Sequence, residues 1–225
     1  MVTIENVVRL GRVKRVSCLM MQDRNYKIGK KEEEILNLED IQIGAFFLKE
    51  AIDKKISFAE SFSESYSKNI TGTEKDAKEG QKCAVIFIDI NFDEGKKKEK
   101  MVSTEQAKGA LLHWKTNFAD CQNCIFITPG KLSPDAKKEV HHVAKLSLLS
   151  HEYLSFPKGR HVMVPKHQAL EEEDARVFLS ARKLTREQLP QLKLSDPISM
   201  YYGFQLGTIV KIQRASWTVF RIVSD

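Results

Sequence analysis

Apolar residues recur at helical spacing near the start of the chain. Ile4, Val8, Val16, Leu19 and Met20 alternate with Arg9, Arg12, Lys14 and Arg15, which predicts an amphipathic helix over 4–23 with a basic flank. The simple reading of those charges is a wetted helix face; the other is a surface turned toward phosphates. Between 45 and 67, the sets Leu48, Ile52, Ile56 and Phe58, Phe62, Tyr66 repeat at i+4, predicting a helix whose aromatic stripe is core. TGTEKDAKEGQK, 71–82, has no period and reads as a loop. CAVIFIDINF, 83–92, is a β-branched and aromatic run that predicts a buried strand, followed by a turn through DEGKKKEK. A helix over 104–117, a second buried strand CIFIT at 124–128, and a helix PDAKKEVHHVAKLSLL over 134–149 opened by Pro134 complete this half. Strands alternating with helices imply an α/β layer arrangement. After SHEYLSFPKGR the pattern changes to short strands around one helix, LEEEDARVFLSARKL, whose Glu172, Glu173 and Asp174 suit the positive end of its dipole. A boundary near 154 follows, separating an α/β domain (1–154) from a small mixed α+β domain (155–225).

Composition narrows the class without naming a function. The chain has 225 residues, 42% hydrophobic and 29% charged, as expected of a globular protein with two small domains rather than a disordered or fibrous chain. Thirty-six basic against 30 acidic residues give +6, too mild an excess to establish nucleic-acid binding. Cys18, Cys83, Cys121 and Cys124 are too sparse for a disulfide framework and suit a reducing compartment. Charges interrupt every apolar run of the first residues, and no stretch approaches the ~20 apolar residues of a spanning helix, so an intracellular soluble protein is expected.

Three constellations invite a chemical reading. Cys121-Gln-Asn-Cys124 has the spacing of half a zinc site or of a redox pair, but no second such pair exists, His141 and His142 point to different helix faces, and Cys124 opens a strand; buried structural thiols are the simpler assignment. Asp89 with Glu94 and Lys96 suggests a Mg²⁺-dependent nuclease. Such ligands normally come from two strands of a hairpin, and the interval from Asp89 to Glu94 has no room for a turn and a second strand. His161 and His167 bracket VMVPK, where a structural role at a corner outweighs a metal site or a pH switch. No phosphate loop, nucleophile elbow or HExxH motif is present, and no cofactor is expected.

HVMVPKH, 161–167, and REQLPQLKLSDPISMYYGFQLGTIVKIQR, 186–214, together resemble the fifth subunit shared by the nuclear RNA polymerases and its smaller archaeal RNA polymerase counterpart. RLGRVKRVSCLMMQDRNYKIGKKE and IFITPGKLSPDAKK are similar to the additional N-terminal domain of the eukaryotic members, a nuclease-like α/β jaw without an active site. The resemblance implies a non-catalytic, nuclear assembly subunit. Its C-terminal domain would dock on the largest polymerase subunit through His161, Pro165, His167, Pro190, Asp196, Pro197, Tyr201, Tyr202, Gly203, Lys211 and Arg214. Its N-terminal domain would lie near downstream duplex DNA, with Arg12, Lys14, Arg15, Lys131 and Ser133 closest and any contact made to phosphates without base reading. Met200, where the family has a basic residue, and a short last hairpin mark a diverged version. The rival classes are the nuclease built on Asp89, Glu94 and Lys96, and a free-standing DNA-binding protein.

Overall fold

A computed structural model describes residues 4–55, 60–67, 82–88, 101–143 and 145–225. The chain divides into two compact units, Met1–Phe156 and Pro157–Asp225.

The first unit opens with α1 (Ile4–Asp23), α2 (Lys30–Leu36) and α3 (Asp40–Lys54). A four-stranded sheet follows, in the order β1 (Glu64–Ser67), β2 (Lys82–Phe87), β3 (Asn123–Thr128), β4 (Leu146–Ser150). β1 is antiparallel to β2, whereas β2, β3 and β4 run parallel, with Val85 opposite Ile125 and Ile127 opposite Leu149. Parallel strands need long crossovers, and α4 (Thr104–Asn117) and α5 (Pro134–His141) supply them. Both helices start where their sequences provide caps: Ser103 and Ser133 accept the N–H groups of Gln106 and Ala136, and Pro134 takes the first position of α5. Ala84, Ile86, Cys124 and Phe126 form one sheet face, packed with Ala107 and Ala110 of α4 and Ala136 and Val140 of α5. On the other face Phe87 meets Phe62, which stacks at 4.4 Å on Phe47 of α3. Helices on both faces explain why β2 and β3 are almost continuously apolar.

Two predicted helices end early. α3 stops at Lys54; Phe62 lies in a 3-10 turn and Tyr66 on β1, both buried. A spacing of four residues spans two strand repeats as readily as one helical turn, so it could not separate the two structures. Ile56 and Phe58, the loop 71–81, the last residues of the predicted strand and DEGKKKEK lie outside the described residues. The helix predicted over 134–149 stops at His141, and Leu146–Ser150 instead extends the sheet beside β3 after a left-handed residue, Lys145 (φ 67°). In α1, Ile4 is 75% exposed, while Val7, Leu10, Val13, Val16, Cys18, Met20 and Met21 are buried. α1 and α3 touch backbone to backbone: a Cβ on Gly11 would lie 1.9 Å from the Asp40 carbonyl oxygen, and one on Gly44 2.2 Å from that of Val7.

The second unit is built on a sheet ordered β5 (Lys166–Ala169), β7 (Ile209–Gln213), β8 (Thr218–Ser224), β6 (Gln191–Lys193), with α6 (Glu172–Arg182) and α7 (Pro197–Tyr202). β7 is antiparallel to β5 and β8, and β6 is parallel to β8. Alternation along the strands divides the core. Ile209, Phe220 and Ile222 pack with Ala175, Phe178 and Leu179 of α6, while Val210, Ile212 and Val223 pack with Leu192, Tyr202 and Phe204. The molecule is thus mixed α/β and α+β, with two mixed sheets. No helix among the described residues is long and apolar enough to cross a membrane.

Candidate subunit interface

Asp196 is the N-cap of α7: its carboxylate accepts the Ile198 N–H at 2.8 Å, and Pro197 occupies the first turn, where a missing N–H leaves no bond unmade. The helix ends at Gly203 (φ 67°), a left-handed C-cap that glycine adopts without strain. Between these caps Tyr201 is fully buried. Tyr202 stacks on Phe204 at 5.4 Å and on His167 at 6.3 Å. His167 donates its Nδ1–H to the Pro165 carbonyl at 2.7 Å; burial holds the imidazole below its ordinary pKa despite that bond. Pro165, His167, Asp196, Tyr202 and Gly203 are therefore brought together around α7. His161 is exposed, and its Nδ1 accepts the Met163 N–H at 3.2 Å. Pro190 is exposed and its carbonyl receives the Ile222 N–H at 3.0 Å. Lys211 stands opposite Phe220, on the α6 face, whereas His167 stands opposite Ile212, on the α7 face. Arg214 is exposed in the β7–β8 hairpin, where its N–H donates to the Trp217 carbonyl at 2.9 Å.

In the N-terminal unit the residues expected near DNA have different fates. Arg12 and Arg15 both pair with Asp40, at 3.0 and 3.1 Å, joining α1 to α3. Lys14 has no exposed surface at all. Its ammonium pairs with Glu64 and donates to the Phe62 carbonyl at 3.1 Å, with the Tyr66 hydroxyl, which donates to Glu64 at 3.1 Å, also beside it. Burial pulls the Lys14 pKa down, but the adjacent carboxylate outweighs it and the net shift is upward. For Glu64, burial acts upward and is likewise overridden by Lys14, leaving the carboxyl at about 2. Lys14 is therefore a core residue in this fold, neither a wetted charge nor a phosphate ligand. Lys131 is exposed, and Ser133 is spent on capping α5. Asp89, Glu94 and Lys96 lie outside the described residues.

The description "RNA polymerase Rpb5, C-terminal domain" belongs to a family model that matches residues 158–224, nearly the whole second unit. The DNA-directed RNA polymerase subunit Rpo5 of Methanococcoides burtonii is 37% identical over 76 residues, 34% of this chain and 85% of that subunit. The chain belongs to the Rpb5 family of RNA polymerase subunits. A second archaeal relative of the family, the Rpo5 subunit of Archaeoglobus fulgidus, is 42% identical over 65 residues, 29% of this chain and 86% of that protein. The subunit RPABC1 of RNA polymerases I, II and III from Caenorhabditis briggsae is 23% identical over 227 residues, 96% of this chain and 93% of its own. The Rpb5-type resemblance thus extends through both units in the nematode relative, while the archaeal ones align with about a third of the chain.

Two features of this Rpb5-family unit carry no local sequence signal. A Cβ on Gly159 would lie 2.5 Å from the Tyr201 ring, so only glycine lets the 3-10 turn Lys158–Arg160 press on α7. Arg186 donates to the Gly207 carbonyl at 2.7 Å and to Glu172 at 2.6 Å, tying the start of β7 to α6. Neither follows a local period, because each depends on a neighbour remote in sequence. The cysteines Cys83, Cys121 and Cys124 are buried, and burial pushes the first two to about 11 and raises the third further. Among the described residues no group of three His, Cys, Asp or Glu side chains is placed to hold a metal ion.

Proposed function

We propose that this protein is a non-catalytic structural subunit of a nuclear DNA-directed RNA polymerase, docked through residues 157–225 on the largest subunit. The observation that carries the proposal is the coverage of the archaeal relatives. A unit of this size accounts for 85% of one whole polymerase subunit and 86% of another, so the shared part is a subunit in its own right. Its physical character suits assembly. The sheet carries a modest core on each face, and side chains such as Trp217, 60% exposed, are left for a partner to cover. The nuclear location rests on the eukaryotic relatives, whose names place them in polymerases I, II and III.

In this reading residues 1–156 lie toward downstream duplex DNA, and Lys131 with the outer part of Arg12 makes weak phosphate contacts without base reading. Such contacts are salt-sensitive and independent of sequence. The test is recovery of the tagged full chain from nuclear extract at moderate and high salt, with identification of the bound proteins. Stoichiometric recovery of the two largest polymerase subunits at both salts is expected. Recovery of the chain alone, or with DNA that washes off in salt, would overturn the proposal in favour of a free-standing DNA-binding protein.

A further inference from the structure

Within HVMVPKH the side chains divide into two groups. His161, Pro165 and His167 are engaged in their own turn: the His161 Nδ1 accepts the Met163 N–H, the Val164 N–H donates to the His161 carbonyl at 2.9 Å, and His167 donates to the Pro165 carbonyl. Pro165 fixes its own φ, and the His167 ring rests on Tyr202, which stacks on Phe204 of the core. The turn is therefore fixed at both ends. Between those ends Val162 is 92% exposed and Met163 81% exposed, the two most exposed of the large apolar side chains on the described surface. Neither contributes to the core of its own unit. Around them the chain is wholly cationic in its charges, with Lys158, Arg160 and Lys166 and no carboxylate between 158 and 167.

We infer that Val162 and Met163 form a preorganised apolar knob that seats in a hydrophobic, acid-rimmed pocket on the polymerase subunit that receives this unit. The inference rests on the assembly reading above and names its contact chemistry. His161, Pro165 and His167 become positioning residues; the contact itself is made by the two side chains between them. A turn already held by hydrogen bonds and stacking loses little backbone freedom on docking. Val, stiff at χ1, and Met, unbranched and polarizable, combine a fixed shape with a side chain able to fill an irregular hole. Lysine and arginine beside the knob favour carboxylates at the pocket rim, which set orientation and encounter rate.

The test uses the full chain, tagged and expressed in cells that assemble the polymerase, in three parallel measurements: the native sequence, the double variant Val162→Ser/Met163→Ser, and the thermal melt of each purified chain. Retention of the largest polymerase subunit should fall by at least about tenfold in the double variant, as for a truncated interface hot spot, with the melting temperature unchanged. Wild-type retention by the double variant would overturn the inference alone. A melting temperature lowered by more than ~5 °C would also overturn it, since the pair would then be supporting its own fold. Failure of the native chain to retain the polymerase would remove the assembly reading itself, and the inference with it.

Discussion

Replacing Gly44 with alanine inserts one methyl group where α1 and α3 meet backbone to backbone. The new Cβ would stand 2.2 Å from the Val7 carbonyl oxygen and 2.6 Å from a Val7 methyl, against an ordinary contact of ~3.5 Å. No rotamer relieves this, because the nearest atom is backbone; the helices must separate by more than an ångström along a crossing whose buried residues include Val7 and Leu10 on α1 and Ile43 and Phe47 on α3. Overpacking of this kind destabilises by about 1–3 kcal/mol and sometimes more, and here the upper end applies because both partners are rigid. Alanine's better helix propensity offsets ~1 kcal/mol of it. The net loss is ~2 kcal/mol, which in a unit of this size lowers the melting temperature by roughly 4–8 °C. Gly109 in α4 is the internal control, for its Cβ would meet nothing within 4 Å, so Gly109→Ala should stabilise by ~0.5–1 kcal/mol through propensity alone. Circular dichroism melts at 222 nm read both variants. If Gly44→Ala melts at or above the native temperature, the close crossing of α1 and α3 is wrong; if both variants shift alike, the effect is propensity and packing plays no part.

Lys14→Met removes the closest cation from the part-buried Glu64 carboxylate, leaving it the Tyr66 hydroxyl and the more distant Lys31, and should cost about 1–3 kcal/mol in urea unfolding, whereas adding Glu64→Leu should restore most of the loss, since an apolar pair can replace a buried ion pair. His151 is buried, neither ring nitrogen has a hydrogen-bond partner among the described residues, and burial, with Arg9 adding to it, lowers its pKa to about 3. Because the unfolded chain binds a proton near the ordinary histidine pKa of 6.5 and the folded one does not until about 3, stability is full above 6.5 and declines as pH falls through that window. His151→Leu should flatten the native loss of urea midpoint between pH 6.5 and 4.5, and an unchanged slope would refute the assignment. The Cys83 and Cys121 thiols, held at about 11, should resist a thiol reagent at pH 8 in the folded chain and react with it in denaturant; rapid labelling of the native protein would contradict their burial.

Much of the fold was legible because it is locally encoded. The buried runs CAVIF and CIFIT read as interior strands, and Pro134 announces the start of α5, whereas the short helix α7 behind Asp196 and Pro197 has no counterpart in a reading of strands around one helix. The C-terminal motifs were legible for the same reason, since turn, cap and strand follow one another without interruption from His161 to Arg214. The sequence also separated strands from helices wherever a β-branched run left no helical period to compete. It failed at LSLLS and at Tyr66, where a spacing of four fits either period and only the neighbouring strand decides the outcome.

Charge was the least legible property. Arg12, Lys14 and Arg15 are near neighbours in sequence, yet two reach Asp40 at the surface and the third is enclosed by Glu64, Phe62 and Tyr66, some fifty residues away. A charged side chain enters a core only when its partner arrives there too, and the position of that partner belongs to the tertiary fold. The sequence by itself determined the two central strands β2 and β3, the start of α5 and the family motifs, because each depends on contacts within a few residues. The tertiary structure alone decided which glycines allow backbone contact, which lysine is buried, and which apolar pair in HVMVPKH is left facing solvent, because each of these depends on what packs against the residue from elsewhere in the chain.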